Sequence, residues 1–297
     1  MGSPVQLVVD SILDDFGIRL LVKRDDLLHE HISGNKWRKL KYNLSEAILQ
    51  NHHSILTFGG AYSNHIAATS FACKKAGIES IGVIRGEDDQ TNPTLKFARA
   101  NGMQLHFVSR EEYRRKNDED FIDELGTRFG RFFFVPEGGA NGLGVRGCTE
   151  ILMEVEDKFD IVCCAAGTGT TLAGLAISLK QDQKLIGFPA LKGASFLEGE
   201  VKRLAQESNL RYRMLDCQLV TDYHFGGYAK LKPELLEFID AFQNRTKIPL
   251  DPIYTGKMLF GLYDMIKQEY FERGSTILVL HTGGLQGWEG MKHRGLI

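Results

Sequence analysis

An alternation sustained from end to end constrains this chain most: short runs rich in β-branched and aromatic residues, each followed by a stretch of helical periodicity. Strand followed by helix, repeated, lets each helix cross a sheet and lay the next strand parallel to the last. The reading is an α/β fold of two open, mostly parallel twisted sheets flanked by helices. Strands are expected at 18–23, 54–58, 80–84, 104–108, 131–135, 161–165, 184–188 and 276–280. Helices are expected at 36–50, 64–76, 93–101, 119–129, 143–155, 171–179, 196–207, 233–243 and 257–270, with Pro93 and Pro233 in first turns, where proline is tolerated. A length of 297 residues accommodates two units sharing an interface. The division expected is a larger one over 1–45 plus 156–297 and a smaller inserted one over 46–155.

Charge narrows the partners. Hydrophobic residues make up 43%, charged residues 25%, and the net charge is -2, so neither nucleic acid nor an anionic membrane is an expected partner. The start Met1-Gly2-Ser3-Pro4-Val5 has no basic segment followed by an apolar one, and no apolar run reaches the length needed to span a bilayer. Five cysteines without a Cys-x-x-Cys, two of them adjacent in an apolar run, read as buried free thiols in a reducing cytoplasm. The mixed-sign run at 111–120 reads as a solvated surface.

Four segments can carry chemistry. In Ile32-Ser33-Gly34-Asn35-Lys36-Trp37-Arg38-Lys39-Leu40 a lysine sits in a turn between a strand-like and a helix-like run. Such a lysine is either a solvated surface charge or, partly desolvated, an amine able to condense with an aldehyde. In Cys163 to Gly174 an apolar strand runs into Gly167-Thr168-Gly169-Thr170-Thr171 and then a helix. The turn is either a threonine-capped junction or a cup of backbone N–H groups for a monophosphate. A dinucleotide fingerprint fails at Leu172, and a Walker loop fails because Leu175 follows Gly174. In Phe58-Gly59-Gly60-Ala61-Tyr62-Ser63-Asn64-His65, Ser63 and Asn64 are either helix caps or a carboxylate site. The fourth, Asp251-Pro252-Ile253-Tyr254-Thr255-Gly256-Lys257, joins with Gly226-Gly227-Tyr228 and with His281-Thr282-Gly283-Gly284 at a strand end, where α/β folds open their crevices. His29, His31, His52 and His53 lack a spaced carboxylate or cysteine partner, so no metal site is expected.

As a set these segments resemble the pyridoxal-phosphate-dependent enzymes of the tryptophan synthase β-like fold (fold type II). Within them the resemblance is to the D-cysteine desulfhydrase and 1-aminocyclopropane-1-carboxylate deaminase family, and it runs from Lys23 to Gly284. It implies that Lys36 forms the Schiff base with pyridoxal 5'-phosphate in the larger, cofactor-binding unit. Gly167, Thr168, Gly169, Thr170 and Thr171 would hold the phosphate and Asn64 the ring hydroxyl. Ser63, with Asn64 and His65, would bind the carboxylate of a small amino-acid substrate, and Tyr228 and Tyr254 would face the reacting carbon. Thr255, where the deaminase pattern has glutamate, would meet the pyridine nitrogen with a neutral hydroxyl, which favours elimination of a good leaving group over cyclopropane opening. The resemblance implies a D-cysteine desulfhydrase-like lyase and a cytoplasmic homodimer, with the deaminase as alternative; a non-catalytic small-molecule-binding protein is the reading from another class. The chain departs from the family at Tyr62, where glutamine is usual, at Ile66-Ala67, where a basic residue is common, and in a shortened segment before His281.

Overall fold

A computed structural model describes residues 2–32, 34–210 and 217–297; Ser33 of the quoted lysine motif lies outside the described residues. The strands are β1 (Val5–Val8), β2 (Arg19–Lys23), β3 (Ser54–Gly60), β4 (Glu79–Arg85), β5 (Gln104–Val108), β6 (Phe133–Val135), β7 (Ile161–Ala166), β8 (Lys184–Pro189), β9 (Cys217–Leu219) and β10 (Thr276–Leu280). They form a six-stranded sheet in the order β1-β2-β10-β7-β8-β9 and a four-stranded sheet in the order β5-β4-β3-β6. Every pairing is parallel except β1 with β2. Burial on both faces explains the continuous apolar runs: all six residues of β7 are buried.

All eight expected strands are present, with ends shifted by a few residues at most. β1 and β9 were not foreseen, and neither were the short helices Ser11–Phe16, Arg110–Arg114 and Gly287–His293. The second of these opens the mixed-sign run and is started by a capping box between Ser109 and Glu112.

Side-chain packing divides the chain differently from the expected boundaries at 45 and 155. Leu40, Leu44 and Ala47 of the helix Asn35–Leu49 pack with Ile55, Ala68 and Val135 in the core of the smaller sheet. Val145, Cys148 and Ile151 of the helix Gly142–Met153 pack with Val162, Leu172 and Leu175 in the core of the larger one. Each of these helices thus has core contacts with the sheet opposite to the one that the expected boundaries gave it. Between them Gly147 allows close contact, since a Cβ there would lie 1.8 Å from the Arg38 carbonyl oxygen. Four of the five cysteines are buried and all five are free thiols. Among the described residues no helix is long and apolar enough to cross a membrane.

Candidate active site

The ends of β3, β4, β7 and β10 open on a shared cavity of about 1180 Å³. Gly34, just before the lining residues Asn35 and Lys36, sits at a close backbone approach. With φ at +65°, and with the Thr282 carbonyl oxygen 1.8 Å from where a Cβ would stand, the position excludes any side chain. The start of the helix Asn35–Leu49 is thereby pressed against the chain leaving β10, and Lys36 lines the cavity. Its Nζ lies 3.4 Å from Asn35 Oδ1. Burial, and then the neighbouring Lys39 charge, lower the Lys36 amine to about 7.

Lys39 was quoted in the sequence motif without a role. It is 3% exposed, also lines the cavity, and is lowered by burial. Its carbonyl accepts from Asn43 Nδ2 at 2.7 Å, but its side-chain amine has no hydrogen bond or ion pair among the described residues. An unpaired buried ammonium facing a cleft calls for an anion. The signal was present: three residues apart on a helix, Lys36 and Lys39 share a face.

Across the cavity, β7 leads through Gly167 and Thr168 into the helix Thr170–Ser178. Gly169 precedes it at φ +80°, and no side chain caps the helix, so its first N–H groups lack a side-chain acceptor. Gly167, Thr168, Gly169 and Thr171 line the cavity. Thr170 does not; it is fully buried, with its hydroxyl 3.1 Å from that of Thr168. Asn35 Nδ2 donates to Thr171 Oγ1 at 2.9 Å, tying the two helix starts together.

Ser63 is the N-cap of the helix Asn64–Ala76, accepting from the His65 and Ile66 amides at 3.2 and 3.3 Å. Capping occupies lone pairs and leaves the O–H proton to be donated, so the capping role is compatible with a carboxylate site. Ser63, Asn64 and His65 all line the cavity. Asn64 Nδ2 lies against Gly284, 2.9 Å from where a Cβ would be.

Asp251, fully buried, organises the tyrosine segment. It accepts from the amides of Ile253, Tyr254 and Thr255 at 2.9, 2.8 and 2.8 Å. The wrapped turn sets the Tyr254 hydroxyl 3.2 Å from the Cβ position of Gly167, and the Tyr228 ring meets the Tyr254 ring edge-on at 6.1 Å. Lys257, unassigned by sequence, donates to the carbonyls of His224 and Gly227 at 3.0 and 2.8 Å and so holds the loop that carries Tyr228. Burial pushes both phenols up, so both stay protonated, and the Tyr254 O–H is given to the Tyr228 hydroxyl, whose own O–H is left for the cavity.

Thr255 departs from expectation. It was expected to face a pyridine nitrogen, but it is 1% exposed and does not line the cavity. Its hydroxyl donates to Asp251 Oδ1 at 2.7 Å and accepts from the Asp251 amide at 3.0 Å. The reason is local: Thr255 opens the helix Thr255–Lys267 four residues after Asp251, and the two close the turn on each other.

A near-neutral amine, an uncapped glycine turn and an unpaired ammonium fit a phosphorylated aldehyde of the pyridoxal phosphate kind. A family profile described as "Pyridoxal-phosphate dependent enzyme" matches residues 6–283. The chain belongs to this family. Within it the chain is 32% identical to a "Putative 1-aminocyclopropane-1-carboxylate deaminase" of Pyrococcus horikoshii, over 96% of this chain and 90% of that one. It is 29% identical to a D-cysteine desulfhydrase of Klebsiella pneumoniae, over 96% and 92%. A solved "ACC deaminase homologue" superposes with a TM-score of 0.86 at 31% identity, covering 100% of this chain and 94% of that one. This pyridoxal-phosphate-dependent enzyme thus has the type II fold of the desulfhydrase and deaminase group, and the non-catalytic reading is set aside.

Proposed function

We propose that the enzyme catalyses α,β-elimination from a small amino acid, as a D-cysteine desulfhydrase does, releasing pyruvate, ammonia and sulfide. The observation that carries this reading is the Lys36 amine, lowered to about 7 and opening on a cavity bordered by Ser63 and the Tyr228–Tyr254 pair. An amine so tuned is neutral enough at physiological pH to attack an aldehyde and to act as a base.

Pyridoxal phosphate, when bound, supplies the electron sink for the charge left at the α-carbon. Lys36 Nζ both anchors the cofactor and removes the α-proton. Lys39 and the Gly167–Thr171 turn hold the phosphate. Ser63, Asn64 and His65 form the carboxylate end, with the Ser63 O–H donating, and the tyrosine hydroxyls stand where the leaving group takes up its proton.

No carboxylate follows Tyr254, and the Thr255 hydroxyl is engaged with Asp251. Turned to Asp251 and away from the cavity, Thr255 offers the cofactor no acidic partner, which favours expulsion of a good leaving group over opening of an unactivated ring. The runner-up, 1-aminocyclopropane-1-carboxylate deamination, draws support from the names of similar proteins. Steady-state release of pyruvate and sulfide from D- and L-cysteine, set against ammonia from 1-aminocyclopropane-1-carboxylate, separates them. We expect D-cysteine to win by about a hundredfold or more, equivalent to a few kcal/mol of barrier. The opposite order overturns the assignment. A cytoplasmic homodimer belongs to the same proposal, and light scattering of the purified protein tests the dimer.

A further inference from the structure

Lys257 is 2% exposed, and its amine has no ion pair among the described residues; it donates to the carbonyls of His224 and Gly227, at 3.0 and 2.8 Å. A buried amine held by backbone alone is costly, so what those two carbonyls do matters. Each also closes a turn: the His224 oxygen accepts from the Gly227 amide at 3.0 Å, and the Gly227 oxygen from the Lys230 amide at 3.2 Å. Tyr228 stands inside the second turn. Around it the backbone is strained, with Phe225 at φ +53°, Gly226 at +96°, Gly227 at +123° and Ala229 at +54°. Phenylalanine and alanine keep the left-handed region only where surrounding contacts over-determine it. Those contacts come from one face of the helix Thr255–Lys267, at residues 257, 260, 261 and 264. Phe260 meets the Phe225 ring edge-on at 4.9 Å, and Asp264 accepts from the Tyr223 hydroxyl at 2.7 Å. Gly261 leaves room for the Tyr223 ring, which would lie 2.6 Å from a Cβ there. Tyr228 itself, 46% exposed, has little burial to hold its ring.

We propose that Lys257 is a positioning residue for the reaction site: by latching both turns, its amine holds the Tyr228 ring against Tyr254, the N-cap of the same helix. One helix thus sets both phenols, Tyr254 at its N-cap and Tyr228 through the latch. The latch is what lets a half-exposed side chain on a strained loop present its hydroxyl to the cavity in a fixed place.

The inference rests on Tyr228 serving the proposed reaction, and its first test needs no turnover. In full-length protein with isotope-labelled tyrosine, the nuclear Overhauser cross-peak between the Tyr228 and Tyr254 rings, assigned by its loss in Tyr228→Phe, reports their contact. Lys257→Met keeps the stem and removes the donor. The cross-peak should vanish, while Tyr263, on the same helix, keeps its resonances. A retained cross-peak, or one lost together with a shift of Tyr263, overturns the proposal. In turnover, Lys257→Met should lower kcat for D-cysteine by about tenfold with KM within about twofold, and should cost nothing further once Tyr228→Phe is present. Additive losses, or none in Lys257→Met, overturn it too. Should Lys257→Met not fold, hydrogen exchange of the wild type decides. The Gly227 and Lys230 amides should exchange slower than an unstructured peptide by about a hundredfold or more, and exchange at the peptide rate overturns the idea. Wild-type protein that leaves D-cysteine unchanged would instead count against the functional reading, with the ring contact still deciding the latch.

Discussion

Tyr62, which lines the cavity, meets His293, with its hydroxyl 2.9 Å from His293 Nδ1. The rest of the network sets the direction of that bond. Thr91 donates to Asp89 Oδ1 at 2.6 Å, so its oxygen accepts from His293 Nε2–H at 2.9 Å, and Nδ1 is left to accept from Tyr62. Tyr62 precedes Ser63, and His293 ends the helix Gly287–His293 that follows Gly283 and Gly284. The pair thus ties the turn bearing Ser63 to the C-terminal segment, and the Tyr62 ring packs where a Cβ on Gly290 would stand, 3.0 Å away.

Tyr62→Phe keeps the ring and removes that one bond. Because the contact is exposed, unfolding free energy should change by no more than about 1 kcal/mol. The substrate KM should rise by roughly threefold to tenfold, with kcat within about twofold, since a loosened turn weakens binding of the carboxylate without touching Lys36. An unchanged KM in steady-state assays would show that the tie does not bear on binding.

Gly169 is the test of the phosphate turn. It holds φ +80°, and a Cβ there would already lie 3.3 Å from Val201 Cγ2. Gly169→Val should abolish cofactor retention, measured by the visible absorbance remaining after dialysis, both by strain and by blocking the approach of a phosphate. Thr170→Ala should lose little, because that hydroxyl meets Thr168 inside the protein. Full retention in folded Gly169→Val protein would contradict the placement.

Glu154 links pH to the packing of the lysine helix. Arg38, two residues after Lys36, donates to Glu154 Oε2 at 2.7 Å and to Asp25 Oδ2 at 3.1 Å, and Lys23 donates to the same Glu154 oxygen at 2.7 Å. Burial opposes the Glu154 charge, but the bonds from Arg38 and Lys23 outweigh it and bring the carboxyl to about 2 from its ordinary 4.5. A depressed carboxyl stabilises the fold above its ordinary value and loses that contribution as pH falls from about 4.5 toward about 2. Glu154→Gln should cost roughly 3 kcal/mol in urea unfolding at pH 7, because Arg38 and Lys23 remain buried with less counter-charge. It should also flatten the pH dependence across that acid window. A variant as stable as wild type would show the network to be dispensable.

How much of this was legible in the sequence depended on the range of the interactions. Strands such as β7 and β10 announce themselves because burial on both faces demands an unbroken apolar run. The edge strand β1 does not, because its Val5-Gln6-Leu7-Val8 becomes a strand only by lying antiparallel against β2. Lys39 could have been found from its spacing to Lys36. The engagement of Thr255 with Asp251, four residues upstream, was equally local and was missed because Thr255 was read from its place in a family pattern. Tyr62 was out of reach of local reasoning, being set by a histidine 231 residues away.

The central claim is that Lys36 carries the cofactor. Borohydride reduction of the pyridoxal-phosphate-loaded enzyme followed by peptide mapping tests it most directly. The account predicts a single phosphopyridoxyl label on Lys36, with Lys36→Ala protein unlabelled and unable to release pyruvate. A label on Lys39 or any other lysine, or none in protein supplied with cofactor, would contradict it.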